Sequence, residues 1–140
     1  MKFPYTILPV PKLKDLHPSG ITYRPIIELI ALYGSNSLRF DALLDTGADF
    51  NLFPLGIAEA LGINLSGMQA GETGGISGSL RTFYAPLRIK IEEGRRVHKI
   101  DTFAGFADVP MPLLGQNGFL DKINCAKFCY PDHFEISFHR

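Results

Sequence analysis

One short segment, Ala42 to Ala48, constrains this chain more than any other. Three apolar residues lead directly into Asp45, which is followed by the small hydroxyl residue Thr46 and then by Gly47, a residue that permits a tight turn. The pattern predicts a strand that ends in a turn and presents a carboxylate to water and to a ligand. An Asx-type turn that merely caps a strand would use the same residue types. The tripeptide alone does not separate these two interpretations.

Short apolar segments separated by turn residues occupy most of the chain. Tyr23 to Leu32 and Leu38 to Leu44 flank the turn residues Gly34 to Ser37 and predict a β-hairpin that runs into Asp45. Further strands are predicted at Phe50–Phe53, Leu80–Ile91 and Val97–Phe106, with a closing hairpin of Cys125–Tyr130 and Phe134–Phe138. The segment Val109–Leu114 brings apolar residues into Gly115. Two short helices are predicted, at Pro54–Leu61 and Asn117–Ile123. The pattern indicates an all-β domain and is compatible with a small barrel.

Composition limits the number of domains and the kinds of partner. A chain of 140 residues with 46% hydrophobic content fits one globular domain. Fourteen basic and fourteen acidic residues cancel, so we expect no nucleic-acid or membrane partner. No apolar run approaches transmembrane length, prolines and Lys12 interrupt any signal-like region, and only two cysteines occur. We therefore expect a soluble cytoplasmic protein.

The N-terminal residues differ in character from the rest. Residues 1–20 contain four prolines and little periodicity, which predicts an extended arm rather than regular elements. Residues 21–140 contain all the predicted strands and helices. We therefore expect an arm over 1–20 and one domain over 21–140.

Two further segments after the Asp45 turn carry information through their order along the chain. The first is the glycine-rich stretch Gly71 to Gly78, and the second is Leu113-Leu114-Gly115-Gln116-Asn117. Together with Leu43-Leu44-Asp45-Thr46-Gly47-Ala48, this ordered set resembles the retropepsin family of aspartic proteases over about Tyr23 to Phe138. The chain length, the helix-like Pro54–Leu61 and the closing hairpin resemble bacterial and cellular members more than viral ones.

The resemblance implies a fold and a reaction. The fold would be a small closed acid-protease barrel with one or two short helices and one lobe per chain. Two carboxylates that share one proton would activate water against a peptide bond, without metal, other cofactor or covalent intermediate. The chain is too short for two lobes and has one Asp-Thr-Gly, so the second Asp45 would come from an identical chain in a homodimer.

The resemblance also implies roles for individual residues. The catalytic residues would be Asp45, Thr46 and Gly47. A polypeptide substrate would contact Ala48 and Asp49 and a closing flap. The flap residues would be Gly74, Gly75, Ile76 and Ser77.

Two positions depart from the retroviral pattern. Gln116 stands where an Arg usually pairs with the acid at the position of Asp49, and Phe50 replaces a polar residue. These differences leave open a retropepsin-fold module that binds peptides or proteins without cutting them. A third possibility is an enzyme that stays inactive until the arm of residues 1–20 is moved or removed.

Other chemical signals are weaker. Asp101-Thr102 lacks the turn glycine and is interpreted as structural. Cys125, Cys129 and His133 form a C-x3-C-x3-H string that matches no standard zinc pattern, so we expect ordinary thiols and no metal site. Gly75 to Ser79 approaches a nucleophile elbow but has Ser79 where the second glycine is needed.

Overall fold

The computed structural model describes residues 1–75 and 78–139, which form strands and short helices. The strands are β1 Lys2–Pro4, β2 Thr6–Pro9, β3 Ile21–Arg24, β4 Ile26–Tyr33, β5 Asn36–Leu44, β6 Leu52–Pro54, β7 Gln69–Gly75, β8 Gly78–Glu93, β9 Arg96–Ala107, β10 Leu113–Leu114, β11 Ile123–Cys129 and β12 His133–Phe138. One α-helix, α1, spans Leu55–Leu61, and 3₁₀ turns span Leu65–Gly67 and Leu120–Lys122.

Six of the strands close into a barrel. The order around it is β4-β5-β10-β6-β9-β8, and β8 pairs again with β4 through Ile30↔Lys90, Ala31↔Ile89 and Leu32↔Arg88. Closure leaves these strands without an open edge at that point. The all-β fold with a closed barrel and one lobe per chain is therefore confirmed.

Alternating side chains fill the barrel. On β8, Ala85, Leu87, Ile89 and Ile91 are buried and alternate with more exposed residues, as a strand with one face on the core requires. Phe53 on β6 is fully buried and packs edge-on against two other rings, Phe40 and Phe106. Burial of each large apolar side chain contributes about 1.5–3 kcal/mol to the free energy of folding.

The N-terminal residues are more regular than expected. β1 pairs with β12 to form the three-stranded sheet β1-β12-β11, and β2 pairs with β3. The prediction that residues 1–20 lack regular elements is therefore wrong. Pro4 and Pro9 lie at the ends of β1 and β2, where a missing N–H is tolerated. Phe3 of β1 also stacks on Phe134 of β12. The division into an arm over 1–20 and a domain over 21–140 stays a prediction.

The predicted helices are only partly right. α1 is confirmed and ends at Leu61; Gly62 follows it with a φ of 71°, the left-handed conformation that glycine adopts without strain. The second helix shrinks to the turn Leu120–Lys122, because Asn117 bridges to Phe50 and Ile123 already belongs to β11. Within the two described ranges, no helix is long and apolar enough to cross a membrane.

Candidate active site

Asp45 lies immediately after β5, where the short strand β10 runs parallel beside it. Leu113 and Leu114 of β10 pair with Leu43 and Leu44. The Asp45 N–H continues this ladder by donating to the Leu114 carbonyl at 2.9 Å. The backbone of Asp45 is therefore fixed by a strand that arrives from almost seventy residues further along the chain.

The turn after Asp45 orients its carboxylate. The Gly47 N–H donates to Asp45 Oδ1 at 2.9 Å, and the Ala48 N–H donates to the Asp45 carbonyl at 3.2 Å. An Asx-type turn is thus present. The Asp45 side chain nevertheless remains half-buried rather than enclosed, so the turn and a solvent-reachable carboxylate coexist.

A second segment, residues 115–117, pins the turn from the opposite side. The backbone N–H groups of Gln116 and Asn117 donate to the carbonyls of Ala48 and Asp49, each at 2.8 Å. The side-chain amides of Gln116 and Asn117 donate to the carbonyls of Thr46 and Asp49, also at 2.8 Å. We call these two side chains the amide clamp. Gln116 therefore binds the main chain of the turn, and no ion pair to Asp49 occurs within residues 1–75 and 78–139.

Asn51 is a site-forming residue that the sequence interpretation missed. It is fully buried, its Oδ1 accepts the Gly115 N–H at 3.1 Å, and its Nδ2 donates to the Phe103 carbonyl at 3.0 Å. A polar residue inside the apolar segment Phe50–Phe53 was the available signal, because a buried amide requires partners. Asn51, immediately before β6, thereby ties Phe103 of β9 to Gly115, in the segment that holds the Asp45 turn.

Gly115 is required by close packing. A Cβ atom at this position would overlap the Phe50 carbonyl and lie 2.8 Å from the Ala48 carbonyl oxygen. Contacts this short are essentially absent from folded proteins, and both atoms belong to the backbone, so they move only if the turn moves. Only glycine at position 115 therefore lets the segment Leu113 to Asn117 pack this closely against the Asp45 turn.

A cleft of about 180 Å³ opens beside the carboxylate. It is lined by Asp45, Gly47, Ala48, Asp49, Phe50, Leu52 and Leu113. The structure thus brings together four of the predicted site residues, Asp45, Gly47, Ala48 and Asp49. Thr46 lies in the same turn with an exposed side chain, outside the lining.

The glycine-rich segment forms a β-hairpin. β7 pairs with β8 from Gln69↔Tyr84 to Gly75↔Gly78, so Gly74 and Gly75 lie at its far end. Ile76 and Ser77 lie outside the described residues. The pairing of β8 with β9 begins only at Phe83. Beyond that point the described residues 71–75 and 78–82 form a two-stranded ribbon, which we call the hairpin ribbon.

The remaining candidate residues lie outside the cleft. Asp101 is exposed on β9, and the Arg88 guanidinium, 2.5 Å from its Oδ1, lowers the pKa of this carboxyl. This exposed, ion-paired position agrees with the prediction that Asp101 is structural and not catalytic. The His133 ring nitrogens contact Asp132 and Glu135, while Cys125 is exposed and Cys129 half-buried on β11.

Comparison with known proteins agrees with this architecture. A scan against protein-family models finds no match, and a search of curated proteins finds none either. Among solved structures, the chain is similar to EIAV protease complexed with the inhibitor HBY-793, with 31% sequence identity and a TM-score of 0.54. The similarity covers 66% of this chain and 82% of that chain, a retroviral aspartic protease. The chain therefore belongs to the retropepsin-like family of aspartic proteases.

Proposed function

We propose that this protein is an aspartic endopeptidase whose active site forms from Asp45 of two identical chains. The observation that carries the proposal is the half-buried Asp45 carboxylate, oriented by the Gly47 N–H at the edge of a cleft. In a chain of this family, a carboxylate placed in this way is the group that activates water for peptide hydrolysis. The substrate would be an extended polypeptide.

A second chain is needed because one carboxylate does not serve as base and acid at once. Two adjacent carboxylates share one proton, since both cannot ionise cheaply, and they titrate as a coupled pair. Aspartic proteases in general are the standard example of this behaviour among enzymes. In a two-fold symmetric dimer the same residue of each chain meets at the axis, which would place Asp45 beside the partner subunit's Asp45.

The reaction follows from that pair. The ionised carboxylate takes a proton from a water molecule as its oxygen bonds to the scissile carbonyl carbon. The protonated carboxyl hydrogen-bonds the carbonyl oxygen as charge develops there. The carbon–nitrogen bond then breaks as the nitrogen receives a proton from the carboxyl pair, which leaves a carboxylic acid and an amine and returns the pair to one shared proton.

The neighbouring residues would bind and cover the peptide. The Gly47 carbonyl would accept a substrate amide, Thr46 would stiffen the carboxylate pair, and Ala48 and Asp49 would line the cleft. The hairpin with Gly74, Gly75, Ile76 and Ser77 would close over the peptide and exclude water. This role is supported by the hairpin ribbon, whose two strands pair with each other beyond Phe83.

We also propose that the chain resembles the bacterial and cellular members of the family more than the viral ones. In support, the sheet β1-β12-β11 is completed within one chain, and α1 follows β6 directly.

Replacement of the carboxylate tests the proposal. Asp45→Asn should abolish cleavage of a denatured protein substrate while the melting temperature and oligomeric state stay unchanged. Asp101→Asn, in the second Asp-Thr pair, is the matched control and should cleave like the parent. Undiminished cleavage by Asp45→Asn would overturn the mechanism. Peptide binding without cleavage by the parent would instead favour a non-catalytic binding module.

A further inference from the structure

Three aromatic rings surround a second concavity next to the cleft. The ring centroids of Phe50 and Tyr84 lie 5.6 Å apart, those of Phe50 and Phe103 6.0 Å, and those of Tyr84 and Phe103 6.5 Å. The ring planes meet at 57° to 70°. Such tilted and edge-on arrangements are favourable between aromatic rings and give the group a defined shape.

The concavity is suited to an apolar guest. It has a volume of about 440 Å³ and is lined by Phe50, Gln69, Tyr84, Ala85, Pro86 and Phe103. Among the described lining residues, Gln69 is the one amide and none carries a charged side chain. We call these six residues the aromatic pocket. Its size falls within the range of pockets that bind small ligands, and its rings offer both faces and edges to another ring.

The aromatic pocket shares one lining residue with the candidate active site. Phe50 lines both the cleft beside Asp45 and the aromatic pocket. Gln69 and Tyr84 are paired residues at the start of the hairpin that would cover a substrate. A peptide that extends from the cleft along the base of this hairpin therefore passes the pocket.

An extended peptide has the geometry to use both sites. Its residues advance about 3.3 Å each and alternate between two faces, so a neighbouring pocket receives a side chain some residues from the one at the cleft. Burial of a Phe, Tyr or Leu side chain there would contribute about 1.5–3 kcal/mol to binding. A charged side chain would lose its water without gaining an oppositely charged partner among the described lining residues.

We propose that the aromatic pocket binds a large apolar side chain of the polypeptide substrate, at a position removed from the scissile bond, and so determines specificity. This inference rests on the proposed function, because it names the peptides that the same site selects. Phe50, Tyr84 and Phe103 are its specificity-determining residues.

A cleavage experiment tests the selection. A library of peptides from a digested proteome is treated with the full chain, and the cleaved products are sequenced by mass spectrometry. Phe, Tyr, Trp, Leu or Met should be enriched at one position at least two residues from the cleaved bond. Equal use of all residues at every such position would overturn the proposal.

Substitution of a pocket residue tests whether the aromatic pocket causes the preference for large apolar residues. Phe103 lines the pocket but not the cleft, so Phe103→Asp should lower kcat/KM for peptides with the preferred residue by about 10-fold or more. Peptides with Ala at that position should change by less than about 2-fold. Phe103→Leu should fold and keep the preference, which controls for damage to the barrel. An equal loss for both peptide classes in a folded Phe103→Asp protein would contradict the assignment.

A binding measurement separates this inference from the proposed function. N-acetyl-phenylalanine amide, titrated into the Asp45→Asn chain, should shift the NMR signals of Tyr84 and Phe103, whereas N-acetyl-alanine amide should not. Such shifts without any cleavage by the parent would retain the pocket and reject the endopeptidase. Cleavage without such shifts would retain the endopeptidase and reject the pocket.

Discussion

The two structures that would enclose a substrate, the Asp45 turn and the hairpin ribbon, differ sharply in how they are held. The turn is hydrogen-bonded by β10 through Leu114, by residues 115–117 and by the amide clamp. The hairpin ribbon consists of two strands that, in the described part of the chain, pair with each other and with no third strand. The Asp45 turn is therefore held from several directions, whereas the hairpin ribbon is joined to the barrel only through its base in the described part of the chain.

This difference matches two requirements of peptide hydrolysis. A catalytic carboxylate must keep its position within a fraction of an ångström, which needs support from several directions. A peptide must also enter and leave, which needs an element that opens at low cost. Regions with few partners open locally far more often than a core does. The comparison therefore predicts a rigid turn and an opening hairpin.

Hydrogen exchange should show the largest contrast. The backbone amides of Gly71 to Gly75 in the hairpin ribbon should exchange at least about 100-fold faster than those of Asp45, Gln116 and Asn117, because the latter bond to carbonyls of separate segments. Peptide-resolved mass spectrometry on the full chain measures this ratio. Equal protection of the two regions would remove the basis of the comparison.

Of the three substitutions around the Asp45 turn, Gly115→Ala should cause the largest loss of stability. The new methyl group would overlap the Phe50 carbonyl, so we expect a loss of about 3 kcal/mol or more in the free energy of unfolding, together with loss of cleavage. Urea unfolding measures the change. The control is Gly67→Ala, just before the hairpin, where a Cβ atom would meet nothing within 4 Å. A Gly115→Ala protein as stable as this control would show that the turn is not tightly packed.

Asn51→Ala should have the next largest effect. It leaves the buried Gly115 N–H and the Phe103 carbonyl without their partner, at a cost of about 1–3 kcal/mol in the free energy of unfolding. Asn124→Ala, at an exposed asparagine on β11, should change stability by less than about 0.5 kcal/mol. Thermal and urea unfolding of the two variants give the comparison. Equal losses would mean that Asn51 does not support the turn.

Gln116→Ala should have the smallest effect on stability and a selective effect on rate. Gln116 is exposed, so loss of its bond to the Thr46 carbonyl should cost about 1 kcal/mol or less in the free energy of unfolding. The turn would keep its backbone bonds but lose one side of the amide clamp. We therefore expect kcat to fall while KM changes little, as steady-state kinetics would show. A rise in KM alone would indicate a substrate contact instead of a positioning role.

Local patterns in the sequence predicted much of the fold, and long-range pairings did not follow from them. The strand that ends at Asp45, the helix that ends before Gly62 and the closing hairpin each depend on neighbouring residues. The strand character of β1 depends on a pairing of Lys2 with Glu135, across nearly the whole chain. Such pairings are set by packing in three dimensions, which no local pattern encodes.

The candidate site was predictable to the same extent. The resemblance gave the Asp45 turn and its neighbours Ala48 and Asp49. It did not give Asn51, whose partner Gly115 lies 64 residues further along the chain. Nor did it give the amide clamp, because an exchange of Arg for Gln predicts the loss of an ion pair and does not predict which carbonyl the amide will bind.

The central claim is that two Asp45 carboxylates from different chains form one active site, and subunit mixing tests it most directly. Parent and Asp45→Asn chains are mixed at a fixed total concentration, allowed to exchange subunits, and assayed for cleavage. If both carboxylates are needed, activity follows the square of the parent fraction, and an equal mixture keeps about one quarter of the unmixed activity. A linear decline, to about one half in the equal mixture, would contradict the account, because each chain would then act alone.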